Sequence, residues 1–324
     1  MTERTPTASR TRTVSRNKHR AAWGLVVLTA LSFAAYAKAD PTSHEQSEQA
    51  PPTKPTLPEV TVRAQREAME RRVWAFVSSS IREPFEASLA RWNSPICPLV
   101  VGLPRQEDEF VRARLSEIAK AAGAHLAPQP CQANFAVIVT EEPDVVLKAW
   151  YKRDYHLFGD ATENRINEWL KTPRVARVWY NTKNDSASGL PYTSFVSGLS
   201  HGLLASGYTN VPVDNNDADS HLVFNAVRAF SSVIVAIDSG RTKGNNLKEL
   251  ADYAAMLGLA EIQLNADFGA APTILRLFST SEEAKPTGLS EWDATLLTGL
   301  YNTGQESKMQ RSLISQSMVR QLTP

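Results

Sequence analysis

The chain has 324 residues, 42% of them hydrophobic and 21% charged, the proportions of a globular protein with a substantial core in one large or two modest domains. Its formal net charge is +1, but residues 1–39 hold seven Lys/Arg and one acid, which leaves 28 basic against 33 acidic residues beyond them. That acidic balance argues against nucleic acid as the partner, because binding phosphates needs a basic face.

Residues 1–39 have the pattern of a Sec-type signal peptide. Arg10, Arg12, Arg16, Lys18 and Arg20 form a basic region, 21–36 an apolar run, and Ala37-Lys38-Ala39 a small-x-small cleavage site. Cleavage after Ala39 is expected, giving a periplasmic or secreted protein. If the segment stays uncleaved, it is the one part expected to contact a membrane. Residues 40–58, rich in Pro, Ser, Thr, Glu and Gln, read as a flexible linker. Residues 59–324 are expected to form the globular domain.

The stretch 57–65 reads as a short strand or linker, and 65–81 as a helix with Met69, Val73, Phe76 and Val77 on one face. Strands are expected over 97–103 and 134–140, joined by a helix over 106–122 with Phe110, Leu115 and Ile118 turned inward. This β-α-β order implies neighbouring parallel strands. Cys97 and Cys131 stand at or just before the two strand starts. In an exported protein such a pair is expected to be a disulfide. Two helices follow, over 144–152 and 162–170, then strands over 175–180 and 231–237 separated by polar stretches at 182–188 and 212–220. The tail 306–322 reads as an amphipathic helix through Met309, Leu313 and Met318.

Gly198-Leu-Ser-His-Gly202 matches a nucleophile-elbow pattern and makes Ser200 a candidate nucleophile. Against it, Gly207 cuts the following segment short, and only His221 lies downstream of Ser200 at any distance. Asp214-Asn-Asn-Asp-Ala-Asp219 clusters oxygens as a calcium loop does but lacks EF-hand spacing, so it reads as a solvated loop.

After the strand ending near Asp238 comes Leu247-Lys-Glu-Leu-Ala-Asp-Tyr-Ala-Ala-Met-Leu-Gly-Leu-Ala-Glu261. Leu247, Leu250, Ala254 and Leu257 recur at helical spacing and are expected to face the sheet, with Lys248 outside. Gly258 is expected to end the helix by taking positive φ. From Ala251, the residues ADYAAMLGLAE lie over HExxHxxGxxH and keep only its Gly, as Gly258. In this the stretch resembles the zinc helix of the metzincin proteases. Ala251 and Ala255 stand in the two His positions, Asp252 in that of the general-base Glu, and Glu261 in that of the third ligand. Pro272–Phe278 resembles the Met-turn segment, with Leu275 in the Met place. Gly288-Leu-Ser-Glu-Trp-Asp-Ala-Thr-Leu-Leu-Thr-Gly-Leu-Tyr301 is similar to the closing helix of matrixin-like domains.

The resemblance implies an α/β (α+β) fold: a zincin-like mixed sheet, a helix in the active-site-helix position, and a C-terminal helical part. Without the His pair no zinc, and no other cofactor, is expected. The implied function is that of a pseudoenzyme binding another protein or a cell-envelope component, with Asp252, Tyr253 and Glu261 near the floor of its groove. Reintroducing His at 251 and 255 is expected to restore zinc affinity. The rival reading is an active hydrolase, either a serine esterase acting through Ser200 or a peptidase with an unrecognised site.

Overall fold

The computed structural model describes residues 57–82, 84, 87–159, 161–187, 194–197, 210–213, 224, 226–279 and 285–323. The signal segment, most of the linker, Ser200, His221 and the 214–219 loop lie outside the described residues.

Hydrophobic runs such as Phe135-Ala-Val-Ile-Val139 and Val233-Ile-Val-Ala-Ile237 have no polar alternate, so both faces of their strands must be covered. The structure obeys this, and the fold is mixed α/β. Four strands, β1 (Pro98–Val101), β2 (Phe135–Thr140), β3 (Ala176–Ser186) and β6 (Ala226–Asp238), form one sheet in the order β1-β2-β6-β3. The first three run parallel, and β3 lies antiparallel to β6 at the end of the sheet. A separate antiparallel pair joins β4 (Ser194–Ser197) and β5 (Asn210–Val213).

Alternate residues of these strands divide between two cores. Phe135, Val137, Val139, Val178, Val233, Val235 and Ile237 point into the larger one, with α1 (Leu57–Ser80), α2 (Arg105–Ala122), α5 (Leu247–Leu259), α6 (Glu291–Asn302) and α7 (Gln310–Leu322). Ile138, Trp179, Ile234 and Ala236 point the other way, under α3 (Pro143–Arg153) and α4 (Glu163–Lys171). Cys97 and Cys131 are disulfide-bonded, tying the start of β1 to the segment before β2. With the cysteines 34 positions apart, the chain-entropy model gives the bond about 3 to 4 kcal/mol. Cys97→Ser/Cys131→Ser should therefore melt well below the native protein, and thiol titration of the denatured, unreduced native chain should find no free thiol. Two titratable thiols would refute the pairing.

Several expectations are corrected. The stretch from Leu57 is helical, because α1 runs unbroken to Ser80. Phe110 is 45% exposed, and Val111, Leu115, Ile118 and Ala119 form the buried face of α2 instead. The polar stretch 182–186 is not a loop. It continues β3 past an irregularity at Asn181/Thr182, because β6 begins at Ala226 and supplies backbone partners through Ser186↔Ala226. In α7, Met309 just before the helix and Leu313 are exposed, while Ile314, Met318 and Val319 are buried.

Candidate functional site: α5 and the groove along the sheet edge

α5 opens with a capping box. The Asn246 side chain accepts from the Glu249 N–H, and the Glu249 side chain accepts from the Asn246 N–H. Leu247 and Leu250 are only partly buried, but every residue from Ala251 to Ile262 is buried. From Ala251 on, the helix is thus enclosed on all sides, rather than laid with one stripe against the sheet.

Its C-terminus departs from the sequence reading. Gly258 does not take positive φ; it sits inside the helix, and the chain leaves through extended Ala260. A Cβ on Gly258 would lie 1.9 Å from the tip of the Phe135 ring, so the glycine serves close packing of helix on sheet. Three aromatic side chains meet the carbonyls that a helix end leaves unpaired. The Trp92 indole donates to Gly258 O at 2.8 Å and the Tyr301 hydroxyl to Leu259 O at 3.0 Å. The Tyr180 hydroxyl lies 2.9 Å from Leu257 O and 3.0 Å from Ala260 O, and accepts from the Ile262 N–H at 3.0 Å. Burial pushes the Tyr180 and Tyr301 phenols well above their ordinary range, which keeps both protonated as donors.

Two buried carboxylates connect α5 with the two downstream blocks. Asp252 has no exposed surface. It receives Arg114 Nε at 2.6 Å, Lys248 Nζ at 2.8 Å and the Leu289 N–H at 2.8 Å. Burial alone would raise its carboxyl; Arg114, Lys248 and Leu289 together outweigh burial and hold it below the usual carboxylate range. Asp293 is equally buried and has no cationic partner among the described residues. It accepts from the Ile274 N–H at 2.8 Å, the Ser290 N–H at 2.9 Å, the Ser290 hydroxyl at 2.8 Å and the Thr273 hydroxyl. There burial prevails and pushes the carboxyl up. Asp252 thus ties α5 to the start of the closing-helix segment, and Asp293 ties that helix to the 273–274 turn. Lys248 is half of an ion pair with a buried charge, so it is not the inert surface lysine that its helical position suggests.

The candidate site residues do not come together. Ala251 and Ala255 are wholly buried. Imidazoles there would overpack a filled core at roughly 1 to 3 kcal/mol each, so the packing opposes restoring a zinc helix by those two substitutions. Asp252 and Tyr253 are not on a groove floor; Asp252 is turned to Arg114 of α2, and the Tyr253 ring packs edge-on against Phe278 at 5.0 Å. Only Glu261 reaches a groove, and Ser200 is outside the described residues. Among the described residues no group of three or more His, Cys, Asp or Glu is placed to hold a metal ion.

The groove has a volume of about 1210 Å³. One side of it is β3. Val178, Trp179, Tyr180, Asn181 and Thr182 all line it, and five consecutive strand residues alternate between faces. The groove therefore follows the edge of the strand rather than either face of the sheet. The segment 261–266 also lines it, held in place from outside by 80–82. There Arg82 N donates to Glu261 O and Gln263 N to Ser80 O, each at 2.9 Å. Glu261, nearly buried, accepts from Arg228 Nη1 at 2.8 Å and has Arg82 Nη1 at 3.9 Å. Past Trp179 stand Trp169 and Arg165, with the guanidinium 5.2 Å from the Trp179 ring centroid.

The sequence reading singled out none of the groove arginines. For Arg228 a signal exists: it is a lone charge in the apolar run Ala226-Val-Arg-Ala-Phe230, where a buried strand position calls for an ion-pair partner.

Comparison with protein-family models, curated proteins and solved structures finds no significant match for this chain.

Proposed function

We propose that this protein is an exported, zincin-like pseudoenzyme that works by binding: an extended segment of another envelope protein docks in the groove along β3, and no zinc chemistry takes part. The observation that carries the reading is the groove's course along the strand edge. Beyond β3 no further strand is paired among the described residues, and the strand runs from buried Val178 and Trp179 to exposed Thr182, so a chain that adds as a fifth strand would meet its outward N–H and C=O groups along the groove. Glu261, in the place of the third ligand, lines this groove in an ion pair with Arg228. The zincin-like part is supported by the way Asp252 and Asp293 tie together the three stretches that resemble the metalloprotease helix, turn and closing helix.

Strand addition has a specific signature. A bound peptide should slow hydrogen exchange at alternate backbone amides within 178–182, those pointing away from β6, and leave the β2 amides unchanged. Saturating binding that leaves 178–182 exchanging as in the free protein would place the partner elsewhere.

A further inference from the structure

We infer that the segment taken up by the groove is acidic, with its carboxylates received by Arg165 and Arg174 beside the first half of β3. This inference rests on the groove reading above and adds the chemistry of the ligand.

Among the described residues four arginines line the groove, Arg82, Arg165, Arg174 and Arg228, against two acids, Glu168 and Glu261. The acids do not neutralise the arginines evenly. Glu261 takes Arg228 at 2.8 Å and Arg82 at 3.9 Å, while Glu168 is paired along its own helix with Lys171. Arg165 and Arg174 have no acidic partner among the described residues. Arg165 lies over the Trp179 ring, and Arg174 donates to the Asn265 side chain across the groove. Both guanidiniums are thus positioned by neutral groups and have N–H donors to spare for a carboxylate.

The charge is also placed with direction. Arg174 stands two residues before β3 begins, and Arg165 covers Trp179, in its first half. Arg228 pairs in register with Asn184 near the far end, where Glu261 already satisfies it. A segment lying along β3 therefore meets, beside Val178 and Trp179, two cations with no acidic partner among the described residues, and a balanced ion pair beyond. Beyond residue 39 the chain is acidic overall, so these arginines stand out against the general charge and attract carboxylates. An acidic extended peptide satisfies both features at once, its backbone on the strand edge and its carboxylates on the arginines. An acidic glycan would meet the arginines but has no amide ladder to offer β3.

The test uses fluorescence anisotropy with three labelled peptides of about ten residues, the reach of β3, alternating Thr/Val with Glu, Gln or Lys. The Glu peptide should bind at least about tenfold tighter than the Gln peptide near 0.15 M salt, the Lys peptide should be weakest, and the gap should shrink at about 0.5 M. Arg165→Gln/Arg174→Gln, checked to melt like the native protein, should bring the Glu and Gln peptides within about twofold of each other without weakening the Gln peptide. Equal binding of the Glu and Gln peptides by the native protein, with 178–182 protected, overturns the acidic preference and leaves the groove reading standing. If a Glu peptide N-methylated at alternate amides binds as tightly as the unmethylated one, the arginines act as a general anion surface and the inference fails. Binding of polyuronate with none of the peptides overturns it in favour of an acidic glycan. No binding by any probe overturns both the inference and the groove reading.

Discussion

Arg114→Met should destabilise the protein by about 3 kcal/mol at neutral pH and lower its melting temperature by roughly 6 to 12 °C. The Arg114 side chain is one-fifth exposed, but its partner Asp252 has no exposed surface, so the substitution removes one of the two cations from a buried carboxylate. Lys248 remains at 2.8 Å but is half-exposed, and solvent screens it. The pH dependence distinguishes this account from a plain loss of packing. In the native protein the Asp252 carboxyl is held below its ordinary value. Its contribution is complete above about pH 4, the unfolded range, and is lost as pH falls through the lower folded value. Without Arg114 burial dominates, and the folded-state carboxyl rises above the unfolded one. The penalty is then full at neutral pH and is relieved on acidification, so the gap between variant and native protein should narrow from pH 7 toward about pH 4.5. Arg114→Met/Asp252→Asn, which removes the charge as well, should recover part of the loss at pH 7. If Arg114→Met melts within about 1 °C of the native protein, the ion pair does not hold α5 as described. The result also bears on function. A carboxylate locked by two cations and a backbone N–H is a poor proton acceptor, so Asp252 serves as a structural tie.

Gly258→Ala should cost about 3 kcal/mol or more, at the upper end of what one added methyl does to a filled core. The direction is what matters, because alanine in place of glycine inside an open helix stabilises by about 1 kcal/mol. Here the new Cβ would fall 1.9 Å from the Phe135 ring, which is 2% exposed, held in β2 beside β6, and packed against Trp92 with 6.4 Å between centroids. Neither the ring nor the helix can give way without shifting the sheet. Gly258→Ala/Phe135→Leu should lose less than the two single variants together, by about 1 to 3 kcal/mol, because the leucine vacates the space the methyl needs. Thermal or denaturant unfolding of the four proteins measures this cycle. A Gly258→Ala that is neutral or stabilising would mean that α5 does not approach β2 this closely.

The same glycine shows where sequence reasoning stopped. Its presence after Leu257 is equally consistent with a helix end and with close helix–sheet contact. Only Phe135, more than a hundred residues away, decides between them. The helix then ends because Tyr180, Trp92 and Tyr301 converge on its last carbonyls from β3, the 91–97 stretch and α6, a convergence that no local pattern encodes. The polar run 182–186 reads as loop for a related reason. Strand propensity describes how side chains fit a half-buried surface, and here the backbone ladder to β6 overrides it.

What the sequence determined by itself was whatever depends on short-range periodicity and on the demand to bury apolar surface. That covers the α/β class, the order of the four strands of the main sheet and the helices between them, the Cys97–Cys131 pair, the start of α5 near Leu247, and the buried runs of β2 and β6, but not the β4–β5 pair. Tertiary structure decided which buried charges meet and where a surface stays open. Asp252 and Glu261 stand nine positions apart in the chain and look like two residues of one vestigial site. One is sealed against Arg114, 138 residues away, while the other lines the groove with Arg228. A charge in a low-dielectric interior must find an opposite charge or donors wherever the fold supplies them. Lys248, one turn before Asp252, supplies part of what that charge needs, but Arg114 and Arg228 are chosen by how α2 and β6 pack, and nothing near either carboxylate in the chain names them.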